Sequence, residues 1–100
     1  MAKVFISMPM KGKTEQEILE ERANAFSVIR ENHPGYELID TFIGETLDEK
    51  HCGLKYLAKS LEMLDEATGA WFLKGWENAR GCRIEHECAK AYGIPIYYLY

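Results

Sequence analysis

In the segment GWENARGCRIEHECAKAYG, residues 75 to 93, a carboxylate falls among residues that belong in a core. At about 100° per residue, a helix from Cys82 to Tyr92 gathers Ile84, Cys88, Ala89, Ala91 and Tyr92 on one broad apolar arc. Arg83, His86, Glu87 and Lys90 fall on the opposite, solvated side. Glu85 projects between Ala89 and Tyr92, inside the apolar arc. An ionised carboxylate buried there without a partner is strongly unfavourable, so it needs a partner, a proton or a chemical role. Acids perturbed in this way concentrate at functional sites. The plainer alternative is an acid near a helix N-terminus, favoured by the macrodipole and paired with Arg80 or Arg83.

Other residue types carry weaker signals. Lys11 and Lys13 flank Gly12, and a glycine turn with free amides and a lysine is one way to hold a phosphate. No Walker pattern accompanies it, so solvated loop charges are the alternative. Trp76 follows an apolar run into a polar loop, where it is either a core aromatic or one wall of a slot for a planar base. Gly81 allows a tight turn or the close approach of a ligand to the backbone. His51, Cys52, Cys82, His86 and Cys88 raise the question of a metal, but neither HExxH nor paired CxxC spacing occurs, and no metal or other cofactor is expected. Nucleophilic serine or cysteine chemistry lacks a G-x-S-x-G signature.

The elements that must position these residues follow from periodicity. KVFIS, residues 3 to 7, is β-branched and aromatic with little alternation, as in a strand buried on both faces. Thr14 with Glu17 is a capping box, and Ile18, Leu19, Arg22, Ala23, Phe26 and Ile29 then keep helical spacing, with Arg22 the charged exception. YELID (36–40) reads as a second strand and residues 41–53 as a long loop. Leu54, Leu57, Ala58, Leu61 and Leu64 mark a second helix. AWFL (70–73) is a third strand, residues 75–81 a loop, and IPIYYLY (94–100) the last strand. Strands alternating with helices predict an α/β protein with a small parallel sheet of four or five strands. Such sheets bind ligands beyond the carboxyl ends of their strands. SMPMKG and the Gly75–Gly81 loop both leave strands at that edge.

Composition narrows the class. One hundred residues, with 47% hydrophobic and 28% charged, suit a single globular domain over residues 1–100. The net charge of −4 and the absence of a Lys/Arg run argue against a long nucleic acid as partner. Three cysteines suggest no disulfide framework, and no stretch has the length of a signal peptide or membrane span, so a cytoplasmic protein without membrane contact is expected.

With VFIS, MPMKG and GWENARGCRIEHECAKAYGIPIYY in view, the chain resembles the nucleoside 2-deoxyribosyltransferase-like family, in particular its short members from phage and prophage genes. The similarity spans nearly the whole chain and is weakest between Asp40 and Gly53. It implies a flavodoxin-like or Rossmann-like three-layer sandwich that binds a nucleoside or nucleoside monophosphate. It also implies a homodimer or larger homo-oligomer. The family's G-x-x-x-E-x-x-x-A pattern reads Gly81 to Ala89 here, which makes Glu85 the implied nucleophile at the anomeric carbon. Ser7, Met8, Pro9, Met10, Lys11 and Gly12 become a sugar or phosphate cradle, with Lys11 near a 5′-phosphate. Phe42 and Trp76 become base-flanking residues, and Ser60, Gly75, Glu77, Asn78 and Gly81 join the binding set. The chain departs from active relatives at Phe5, where they carry Tyr, and at Ser60 and Thr68, where they carry Asp. Transferase, hydrolase and binding without turnover therefore stand as alternatives.

Overall fold

The structure, a computed structural model, describes residues 2–39 and 54–99. The elements run β1 (Lys3–Ser7), α1 (Glu15–Asn32), β2 (Glu37–Leu38), α2 (Leu54–Asp65), β3 (Gly69–Leu73), α3 (Arg80–Ala91) and β4 (Ile96–Leu99). Among the described residues the sheet has four strands in the order β2-β1-β3-β4, all parallel. Val4 pairs with Leu38, Ser7 with Phe72, and Phe72 with Tyr98. From β1 the chain goes first to one side of the sheet and then to the other, so the topological switch point lies between β1 and β3. This is the expected α/β architecture, a small flavodoxin- or Rossmann-like sandwich.

Alternation along β1 separates two cores. Val4, Ile6 and Met8 pack with Ile18, Ala25 and Ile29 of α1 and with Trp71 and Leu73. Phe5 faces the other way and packs with Ala70, Phe72, Leu64 of α2 and Ala89 of α3. Both faces of β1 and β3 are covered, which is why their sequences are continuous apolar runs. The capping box forms: Thr14 Oγ1 accepts from the Glu17 amide at 3.1 Å, and the Thr14 amide donates to Glu17 Oε1 at 2.9 Å. Thr14 thereby fixes where α1 starts, and so the length of the β1–α1 loop. Among the described residues no helix is long and apolar enough to cross a membrane.

Several boundaries differ from the expectation. Of residues 36–39 only Glu37 and Leu38 pair as a strand, and the last strand, Ile96–Leu99, begins at Ile96 rather than at residue 94; Asp40 and Tyr100 lie outside the described residues. The expected loop 41–53 lies outside the described residues. Helix α3 starts at Arg80, two residues before Cys82, so Gly81 is helical and Glu85 stands in the second turn. The inward arc is also rotated. Cys82, Glu85 and Ala89 are the buried residues of α3, whereas Ile84 is exposed and Tyr92 is 83% exposed. Ile84, Ala91 and Tyr92 were thus poor markers of the buried face, which α3 makes through Ala89 of the expected arc together with Cys82 and Glu85. In α1, Ala25 rather than Leu19 or Ala23 faces the sheet, and Leu54 at the start of α2 points to solvent.

Candidate active site

Glu85 lies at the carboxyl end of β1, beneath the switch point. Its position follows from three elements. β1 delivers Ser7 at its last residue, on the face shared with Phe5. α2 delivers Ser60 on its inward side, one turn before Leu64. The start of α3 turns the Cys82–Glu85–Ala89 stripe toward both. Ser7 Oγ donates to Glu85 Oε1 at 2.6 Å, and Ser60 Oγ donates to Oε2. All three side chains are buried, Glu85 to 6% exposure. Neither Arg80 nor Arg83 is its partner; Arg83 Nη1 instead donates to the Glu77 carbonyl at 3.0 Å.

The electrostatics are mixed. Burial pushes the Glu85 carboxyl above its ordinary value, and this effect prevails over the opposing hydrogen bonds from Ser60 and Ser7 and the positive charge of Arg22. Arg22 is itself buried, on the stripe of α1 that carries Ile18, Ala25 and Ile29. Cys82 is buried on the same helix as Glu85. Desolvation pushes its thiol up to about 11, against a lowering by a hydrogen bond with Ser7, while the charges of Glu85 and Lys13 act in opposite directions. That thiol is neutral near pH 7 and is no nucleophile there.

The two loops that leave the carboxyl edge meet over this site. A Cβ on Gly75 would stand 3.3 Å from Pro9 Cγ, and Gly75 has φ +93°, so a side chain there would be both crowded and strained. Met8 turns away into the α1 core, and half-buried Met10 packs against that core. Tyr56 of α2 donates its hydroxyl to Met10 Sδ at 3.3 Å, which ties the first loop to the second helix. Lys11 and Gly12 are exposed at the turn, with Gly12 at φ +80°, and Lys13 pairs with Glu21 at 2.6 Å. Glu77 and Asn78 are exposed in a single 3-10 turn, Trp76–Asn78. Gly81 faces open space, so nothing in the fold itself demands a glycine there. Phe42 lies outside the described residues, as do His51 and Cys52.

Trp76 is half-buried and packs on the α2/α3 core, with one face stacked on His86 at 4.1 Å between ring centroids. His86 Nε2 is 2.7 Å from the Tyr98 hydroxyl, and Tyr98 lies 5.8 Å from Trp76. His86 is therefore no free surface residue, contrary to its place on the solvated side of the helical wheel. Among the described residues no three His, Cys, Asp or Glu side chains converge as a metal site. A mostly apolar groove of about 280 Å³, lined by Leu61, Leu64, Asp65, Cys88, Tyr92 and Ile94, lies at the opposite, amino edge of the sheet and holds none of the residues around Glu85.

Two departures noted in the sequence now have locations. Phe5 is fully buried on the Glu85 face, two residues before Ser7. Thr68 is at the amino edge, where its Oγ1 accepts from the Lys3 amide at 2.8 Å, so it is a sheet-edge residue remote from Glu85. Of the residues around Glu85, Cys82 was weighed only as a metal ligand and Arg22 was not among the candidates, although Arg22 carried the same signal, a charge at an inward helical position.

The model of a domain family of unknown function, DUF4406, matches residues 2–98, and the chain belongs to that family. No curated protein and no solved structure matches the chain.

Proposed function

We propose that this member of a family of unknown function acts on the N-glycosidic bond of a nucleoside or nucleoside monophosphate, with Glu85 as nucleophile. The observation that carries the reading is a buried carboxylate held by two serines at the switch point of a parallel sheet, where ligands of such folds bind. A Glu85 oxygen attacks the anomeric carbon while the bond to the base nitrogen breaks, its electron pair leaving with the base, which takes a proton from solvent. The transition state carries positive charge on the sugar, and a poorly solvated carboxylate stabilises that charge more than a hydrated one would. Water then attacks the anomeric carbon as the bond to the Glu85 oxygen breaks, the water losing a proton to solvent, which restores the carboxylate and completes hydrolysis. A second base in place of water, losing its ring N–H proton to solvent, completes transfer. The resemblance to the nucleoside 2-deoxyribosyltransferase-like family supports the same assignment. The exposed Lys11 is offered to a 5′-phosphate and Trp76 to the base.

A nucleotide-binding module without turnover is the second reading. It is favoured by the near-complete closure of Glu85, both of whose oxygens are already engaged. A 2-fluoro-2-deoxynucleoside separates the two. The enzyme reading predicts a glycosyl adduct on the peptide containing Glu85, seen by mass spectrometry, and no adduct on Glu85→Gln. A ligand-induced rise in melting temperature without any adduct supports binding alone. The resemblance also leads us to propose a homodimer; a monomer throughout micromolar concentrations in sedimentation contradicts it.

A further inference from the structure

The proposed reaction requires of Glu85 a fixed direction of attack and a negative charge, both in a place that solvent barely reaches. Ser7 and Ser60 come to it from β1 and α2, and their hydroxyl protons go to different oxygens, Oε1 and Oε2. A carboxylate bound at both oxygens cannot turn about its last torsion without losing a bond. The two serines are 2% and 4% exposed, so in this arrangement they offer no hydroxyl surface to a ligand. Among the described residues, the charged and titratable groups acting on them are Arg22 from α1 and Cys82 on α3 itself, with Lys13 of the β1–α1 loop acting on Cys82. β1 and α2 contribute the two hydroxyls.

We infer that Ser7 and Ser60 are positioning residues: they hold the Glu85 carboxylate in one orientation and one charge state, and they do not bind substrate. Sequence reasoning placed both with the substrate-binding residues, and the geometry reassigns them. The kinetic part of this inference rests on Glu85 being the nucleophile; the charge-state part does not. Losing one donor to an ionised group is large enough to matter, about tenfold or more in a step that depends on that charge.

The test follows the Glu85 side-chain carboxyl by 13C NMR titration of the full chain, assigned by its disappearance in Glu85→Gln, beside base-release kinetics. Ser60→Ala is expected to move the titration upward and to lower kcat about tenfold with KM unchanged. Ser60→Thr, which keeps the hydroxyl, should return both toward the starting protein. Ser60→Cys, similar in size but a weaker donor, should fall between them and serves if the alanine variant does not fold. A raised KM with the titration unmoved would assign Ser60 to substrate contact and overturn the inference. If the unaltered protein releases no base from any nucleoside tested, the glycosidic reading fails. The titration arm then decides alone, an upward move supporting the inference and an unmoved one overturning it.

Discussion

The two faces of β1 are equally buried and differently furnished. Toward α1, Val4, Ile6 and Met8 run apolar to the carboxyl end of the strand and meet Ile18, Ala25 and Ile29. Toward α2 and α3, Phe5 is as deeply packed, but the next inward residue is Ser7, and the face ends in the Ser7–Glu85–Ser60 cluster. The first face closes the sheet with hydrocarbon apart from the buried Arg22 of α1, whose positive charge acts on Glu85. The second instead gathers three buried polar side chains at its carboxyl end. Buried polar clusters are commonly less stabilising than apolar packing of the same volume, and their presence at the edge where α/β proteins bind ligands is the argument for a site.

The comparison breaks first if the faces respond alike to substitution. Ile6→Ala should destabilise by about 2–5 kcal/mol in denaturant melts, through lost burial and a cavity. Glu85→Gln, on the other face, should leave stability unchanged or raised. The amide oxygen can accept from one serine while its NH2 donates to the other. Equal losses would mean that both faces are structural.

The α1 side is packed tightly even beyond α1, where Trp71 stacks on Tyr97 at 4.5 Å over Gly69. A Cβ on Gly69 would lie 2.9 Å from Trp71 Cζ3 and 3.0 Å from Tyr97 Cε2. Gly69→Ala should therefore cost about 1–3 kcal/mol by overpacking, and an unchanged midpoint in the same melts would show that the rings yield.

A smaller effect concerns pH. The Glu85 carboxyl is raised in the folded state above its ordinary 4.5, so its protonated form is favoured by folding. Its contribution is fully present below pH 4.5 and is lost as pH rises from there through the folded value. Relative to Glu85→Gln, the unaltered protein should thus lose stability over that rise. A difference that stays constant with pH would contradict the burial argument. The smallest expected change is Thr14→Ala, about 1 kcal/mol from the lost capping box, with no effect on Glu85 titration.

Much of this was legible in the residues. KVFIS, AWFL and the Thr14–Glu17 box carry local signals strong enough to fix β1, β3 and the start of α1. The start of α3 was not legible, because its N-cap is Ala79, which makes no side-chain cap. Its inward face was misjudged because hydrophobicity alone pointed to Ile84 and Tyr92, while the partners of Glu85 on that face are polar and lie 78 and 25 residues away, at Ser7 and Ser60. Glu85 itself was visible as a charge out of place. Arg22 was out of place in the same way, and taking the two anomalies together would have suggested that opposite charges are buried in one small domain. The stacking of Trp76 on His86 had no local signal, since it joins a loop to the second helical turn of a wheel read as solvated.

The central claim, that the polar face exists for Glu85 to act as a nucleophile, is tested most directly by one paired measurement on Glu85→Gln and the unaltered protein. Base release from deoxynucleosides and their monophosphates is measured together with thermal melts of the same samples. The account predicts base release lowered by orders of magnitude and a melting temperature unchanged or raised. Unchanged turnover with a lowered melting temperature would contradict it and leave Glu85 a structural residue.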